Sequence, residues 1–115
     1  MLQNTGIREQ VLEEICALAE KYRLDRVVLF GSRARGDYKR TSDIDLAASG
    51  GDVVRFSLDV EEETSTLLFF DVVNLDKPVM EELLESIERE GKIIYEKVYP
   101  TGTPYDRPFG PSVKV

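Results

Sequence analysis

Gly31-Ser32-Arg33-Ala34-Arg35-Gly36, followed after a short loop by Ser42-Asp43-Ile44-Asp45-Leu46, is the stretch on which the fold of this 115-residue chain turns. Ten residues separate Ser32 from Asp43, so the pattern is Gly-Ser, a ten-residue spacer and then Asp-x-Asp. The run Arg26-Val27-Val28-Leu29-Phe30 just before it is β-branched and apolar, as a buried strand requires. Gly31 ends that strand, and Ser32 is placed to cap a short helix through Ala34 and Arg35. A strand, a Gly turn and a helix start put free backbone N–H groups where a phosphate can sit. The second half reads as a strand whose side chains alternate faces. Asp43 and Asp45 then project from one face roughly 7 Å apart, while Ile44 and Leu46 point into the core. Together the two elements outline a site for a divalent metal and a nucleotide.

On Gly31, Ser32, Asp43 and Asp45 the chain resembles the nucleotidyltransferase superfamily that includes polymerase-beta-type enzymes. It looks most like the minimal nucleotidyltransferases, the MNT proteins of prokaryotic HEPN–MNT toxin–antitoxin pairs, over about residues 5–97. The resemblance implies an α/β (α+β), palm-like fold, a small mixed sheet of about four strands packed by three main helices. It also implies a third carboxylate on a later strand and two magnesium ions, with manganese as the alternative, held by Asp43, Asp45 and that third group. ATP would be the substrate, with Gly31 and Ser32 at its β- and γ-phosphates. AMP would pass to a hydroxyl, a tyrosine by family likeness, of a HEPN-family toxin, and the chain would act as the antitoxin. A catalytically silent antitoxin that occludes its partner, and a transferase for a small molecule, are the alternatives.

The later strand is Leu67-Leu68-Phe69-Phe70-Asp71-Val72-Val73-Asn74-Leu75, whose continuous apolarity predicts burial on both faces in the middle of a sheet. A lone Asp in such a run is costly unless paired or metal-bound, which marks Asp71 as the third carboxylate. The bland alternative is a strand-end Asp satisfied by a backbone N–H or an arginine. Arg33, Arg35, Lys39 and Arg40 crowd one short region of an acidic chain. Guanidinium forks suit phosphate oxygens, so Arg33 and Arg35 are candidates for phosphate or acceptor contact, equally balanced against a solvated loop. Lys39 and Arg40 fit the solvated loop better, and Ser42 joins the candidate phosphate-binding residues.

Helices frame these strands. Ile7, Val11, Ile15, Leu18 and Tyr22 step at helical spacing across 5–22, with Asn4 or Thr5 as N-cap. Cys16 adjoins that stripe as a small core or boundary residue. Asp52 can cap a helix over 53–65, and Pro78 sits in the first turn of another whose buried stripe is Val79, Met80, Leu83, Leu84 and Ile87. Gly91 suits its C-terminal end, and Lys92-Ile93-Ile94-Tyr95-Glu96 is a short strand at a sheet edge.

One small domain over 1–98 follows, with a Pro/Gly-rich tail at 99–115 that is flexible or orders on a partner. The net charge of -7 argues against direct nucleic-acid binding, and the absence of histidine removes His-based nucleophilic and metal-hydrolase schemes. One cysteine cannot form an internal disulfide, and no run is apolar and long enough to span a membrane or form a signal peptide. The expectation is a cytoplasmic protein whose self-association is left open.

Overall fold

A computed structural model describes residues 4–98; the expected tail lies outside the described residues. Strand β1, Arg26–Phe30, is the hub. It pairs antiparallel with β2, Ile44–Ser49, on one side and with β4, Lys92–Glu96, on the other. β3, Phe70–Asn74, adds to β2 in parallel, giving the order β3-β2-β1-β4. The mixed four-strand sheet is the α/β architecture expected from the sequence.

Alternation along the central strands assigns the two faces. Val27, Leu29, Ile44, Leu46 and Ala48 enter the larger core under α1, Glu9–Lys21, and α3, Val53–Glu63. Val28, Phe30 and Ala47 enter a smaller core that Ile87 covers from α4, Glu81–Glu90. Because side chains repeat every two residues, Asp43 and Asp45 share the face of Ala47, as Asp71 shares that of Val73. The carboxylates therefore stand on the α4 side of the sheet, beyond the apolar layer.

The expectations at element ends divide. Asp52 caps α3, accepting from the Arg55 N–H at 3.1 Å. α1 begins at Glu9 with Arg8 as its N-cap, so Asn4 and Thr5 lie upstream; Thr5 instead accepts from the Ile7 N–H at 3.1 Å. Pro78 precedes α4, which starts only at Glu81, and of the expected stripe Met80 is 70% exposed. Gly91 does donate to the Ile87 carbonyl at 2.7 Å, closing that helix.

The largest correction concerns β3. It is an edge strand, not a central one, and only Phe70 of its five residues is buried. Leu67 and Phe69 precede it, 99% and 68% exposed. An apolar run looks the same at an edge as in the middle of a sheet, since periodicity does not report neighbours.

Candidate active site

Gly31 leaves β1 with φ 77°, a left-handed conformation that glycine adopts without a steric cost. A Cβ there would also run into the Asp45 carboxylate. The turn and β2 thus approach so closely that only a hydrogen fits between them. The four-residue helix α2, Ser32–Arg35, follows with Gly31 as its N-cap. Ser32 is the first helical residue rather than the expected cap, and among the described residues no side chain caps α2. The Ala34 and Arg35 N–H groups donate to the Gly31 carbonyl at 3.1 and 3.0 Å. Those of Ser32 and Arg33 open the helix with no intrahelical acceptor.

On the adjoining strands the register sets Asp45 directly beside Asp71, and Phe30 opposite Asp45. Asp45 is half-buried, whereas Asp43, just before β2, and Asp71 are exposed. Burial raises the Asp45 pKa first; the negative charges of Asp71 and then Asp43 add to it, and the Arg35 cation opposes them. The net effect pushes Asp45 up to about 6. Asp71 is in the expected neighbourhood, but for a different reason from the one expected. It is not a buried charge awaiting a partner; its place comes from the β2–β3 register.

All three donors are carboxylate oxygens, the ligand type of Mg²⁺ and Mn²⁺. Like charges converge on Asp45 with Arg35 as the opposing cation, which a divalent ion would relieve. Among the described residues no three such groups are drawn together into a ready-made metal cage. That agrees with the habit of Mg²⁺, which takes one or two carboxylates and completes its shell with water and substrate phosphates. The donor set therefore fits the ion.

The two candidate arginines differ sharply. Arg33 is 1% exposed, and its guanidinium lies 4.8 Å from the centre of the Tyr38 ring. It donates to the carbonyls of Thr5 at 2.9 Å, Ser42 at 3.0 Å, Arg40 at 3.2 Å and Lys39 at 3.4 Å. Four hydrogen bonds thus tie the buried Arg33 to the 37–43 loop and the N-terminal segment, an arrangement that is neither the phosphate contact nor the solvated loop weighed for it. Ser42 shares that loop role: its hydroxyl accepts from the Lys39 N–H at 2.8 Å. Arg35 is exposed, bonded to Asp37 at 3.2 Å and to Glu90 of α4 at 3.1 Å. It is the cation that acts on Asp45. Sequence reasoning missed Glu90, and no local signal marks it, because the pairing spans 55 residues.

Fold and site define a class: a small α/β domain that sets a Gly-Ser turn against aspartates on neighbouring strands. The chain belongs to the polymerase beta nucleotidyltransferase family, whose pattern matches residues 13–99. A protein of Methanocaldococcus jannaschii that carries the name "putative protein adenylyltransferase" is 34% identical to it over 96 residues, 74% of this chain and 94% of that one. A crystal structure of a toxin–antitoxin with AMP-PNP superposes with a TM-score of 0.62 at 22% identity, over 75% of this chain and 73% of that chain. The MntA–HepT toxin–antitoxin structure gives 0.58 at 18% identity, over 78% and 74%. These two likenesses are of fold.

Proposed function

We propose that this nucleotidyltransferase is a Mg²⁺-dependent protein adenylyltransferase that moves AMP from ATP to a hydroxyl of a partner protein. The observation that carries the proposal is the like-charge pair Asp45–Asp71 across β2 and β3, set against the Gly31 turn. Opposed like charges destabilise a sheet, so a fold that keeps them has another use for them. The relative named for protein adenylylation supports the acceptor class. The toxin–antitoxin likenesses support a HEPN-family toxin as partner, with this chain as the antitoxin.

In this reading the Ser32 hydroxyl and the first N–H groups of α2 receive the β- and γ-phosphates. Arg35 adds positive charge beside them, positioned by its pairs with Asp37 and Glu90. The acceptor oxygen forms a bond to the α-phosphorus, the bond from that phosphorus to the bridging oxygen breaks, and pyrophosphate leaves. Asp71, open at the sheet edge, takes the acceptor's proton on a carboxylate oxygen. Asp43, Asp45 and Asp71 would hold the magnesium, which when bound would supply positive charge to the polyphosphate. A tyrosine acceptor is what the family likeness implies.

Label transfer from ATP radiolabelled at the α-phosphate, in lysate of the source cell with Mg²⁺, tests the proposal. A protein band labelled by wild type but not by the Asp43→Asn, Asp45→Asn double variant supports it and gives the acceptor by mass. A partner that co-purifies with both forms while neither labels it would leave a binding antitoxin in place of the enzyme.

A further inference from the structure

α1 carries more apolar surface than its core contact uses. Val11, Ile15 and Leu18 are buried against the sheet. A second stripe, Leu12, Cys16 and Ala17, instead lines an open groove of about 600 Å³ between α1 and β4. Ile93 on the edge strand, 49% exposed, forms the other wall. Glu9, Glu13 and Glu20 border the same groove. None of these residues takes part in the site at the Gly31 turn.

We infer that this groove is a docking surface for a basic amphipathic helix of a partner protein, with leucine-type side chains entering between α1 and β4 and lysines or arginines reaching Glu9, Glu13 and Glu20. Charge selects the occupant. A second copy of a chain with net charge -7 would set three glutamates against three more. A basic helix meets them with complementary charge. Spacing agrees, since four and seven residues along α1 are rises of about 6 and 10.5 Å, near one and two turns of a helix lying alongside. Strand addition is disfavoured. β4 departs from regular pairing with β1 between Ile93 and Tyr95, and the Ile94 carbonyl already accepts from the Cys16 thiol at 3.1 Å. Such irregularity twists an edge away from pairing. The inference is independent of the catalytic proposal, because it concerns the opposite edge of the sheet.

The chain's one cysteine reports on the groove directly. The probe is a synthetic leucine–lysine helical peptide, with a scrambled peptide of equal composition as control. Binding to the full chain is followed by anisotropy, and access to Cys16 by its rate of alkylation at alkaline pH. The expected result is saturable binding of the amphipathic peptide only, slowed Cys16 alkylation at saturation, and at least tenfold weaker binding for the Glu9→Lys, Glu13→Lys, Glu20→Lys variant. Ala17→Arg, which blocks the groove without reversing the rim, should weaken binding equally; circular dichroism checks both folds. Equal binding of the scrambled peptide, or unchanged alkylation at saturation, overturns the inference. Self-association that protects Cys16 would give the groove to a second copy. Faster alkylation after removal of residues 99–115 would give it to the chain's own C-terminal segment. Either result also overturns the inference.

Discussion

Two charged pairs cross this sheet, one at each side of β1 and β2, and they are built on opposite principles. Arg26 of β1 lies opposite Glu96 of β4, N to O at 2.7 Å, both side chains largely covered. Asp45 of β2 lies beside Asp71 of β3 with like charge. The first pair satisfies itself and helps close an edge. The second sets like charges side by side, and they raise the Asp45 pKa. Opposite charges across strands contribute a few tenths to about 1 kcal/mol, and like charges cost a similar amount. A small protein has only about 5–15 kcal/mol of net stability to lose. Arg33 and Arg35 repeat the contrast two residues apart: one is buried and bonded to four carbonyls, the other exposed beside the carboxylates.

Removing charge from the unsatisfied pair should have the largest effect. Asp45→Asn is expected to lower label transfer by on the order of 10²–10³-fold, the loss typical of deleting one electrostatic stabiliser of a transition state. Transfer within threefold of wild type would remove Asp45 from the chemistry. Arg33→Met should act on stability instead. It strands the carbonyls of Thr5, Lys39, Arg40 and Ser42, and a cost of about 3 kcal/mol in urea unfolding is expected. If Arg33 mattered chiefly for nucleotide binding, the midpoint would stay and the KM for ATP would rise.

Much of this was open to sequence reasoning, and the reason is physical. Gly31 and the Asp43–Asp45 spacing are local facts: a left-handed turn and a two-residue repeat are fixed within a few bonds. The β1 core and the Asp52 cap are local in the same sense. What escaped was set by neighbours distant in sequence. β3 is as apolar as a central strand but lies at an edge, so the argument from a costly buried charge does not hold for Asp71, which is exposed. Arg33 and Arg35 look alike in sequence; a cage of carbonyls from Thr5 and the 39–42 loop separates them. Glu90 reaches Arg35 across 55 residues, and nothing near either position announces it.

The like-charge pair also leaves a signature in pH. The folded Asp45 has its pKa raised to about 6 from an ordinary 3.8. A raised acid means that the folded state holds its proton longer than the unfolded chain does. Stability of the metal-free protein from this group is therefore fully present below about pH 4 and is lost as pH rises through about 6. Relative to wild type, Asp45→Asn should gain melting temperature from pH 4 to pH 7 and little beyond. Added Mg²⁺ should recover part of that loss in wild type only. A difference between the two proteins that is flat across the window would mean that Asp45 is not strained by its neighbours.

The satisfied pair should give the smallest effect and the cleanest control. A double-mutant cycle on Arg26→Gln and Glu96→Gln is expected to yield a favourable coupling of about 0.5–1 kcal/mol, read from urea unfolding at low salt. Partial burial of both side chains should preserve most of it at higher ionic strength, since covered pairs are screened less than exposed ones. Neither substitution touches the Gly31 turn, so transfer activity should follow the fraction folded and nothing more. The same cycle on Asp45→Asn and Asp71→Asn should come out with the opposite sign: once one charge is gone, removing the other brings less relief. Two cycles of like sign would mean that the β2–β3 aspartates are as well satisfied as the β1–β4 pair, and the case for a cation between them would lose its physical ground.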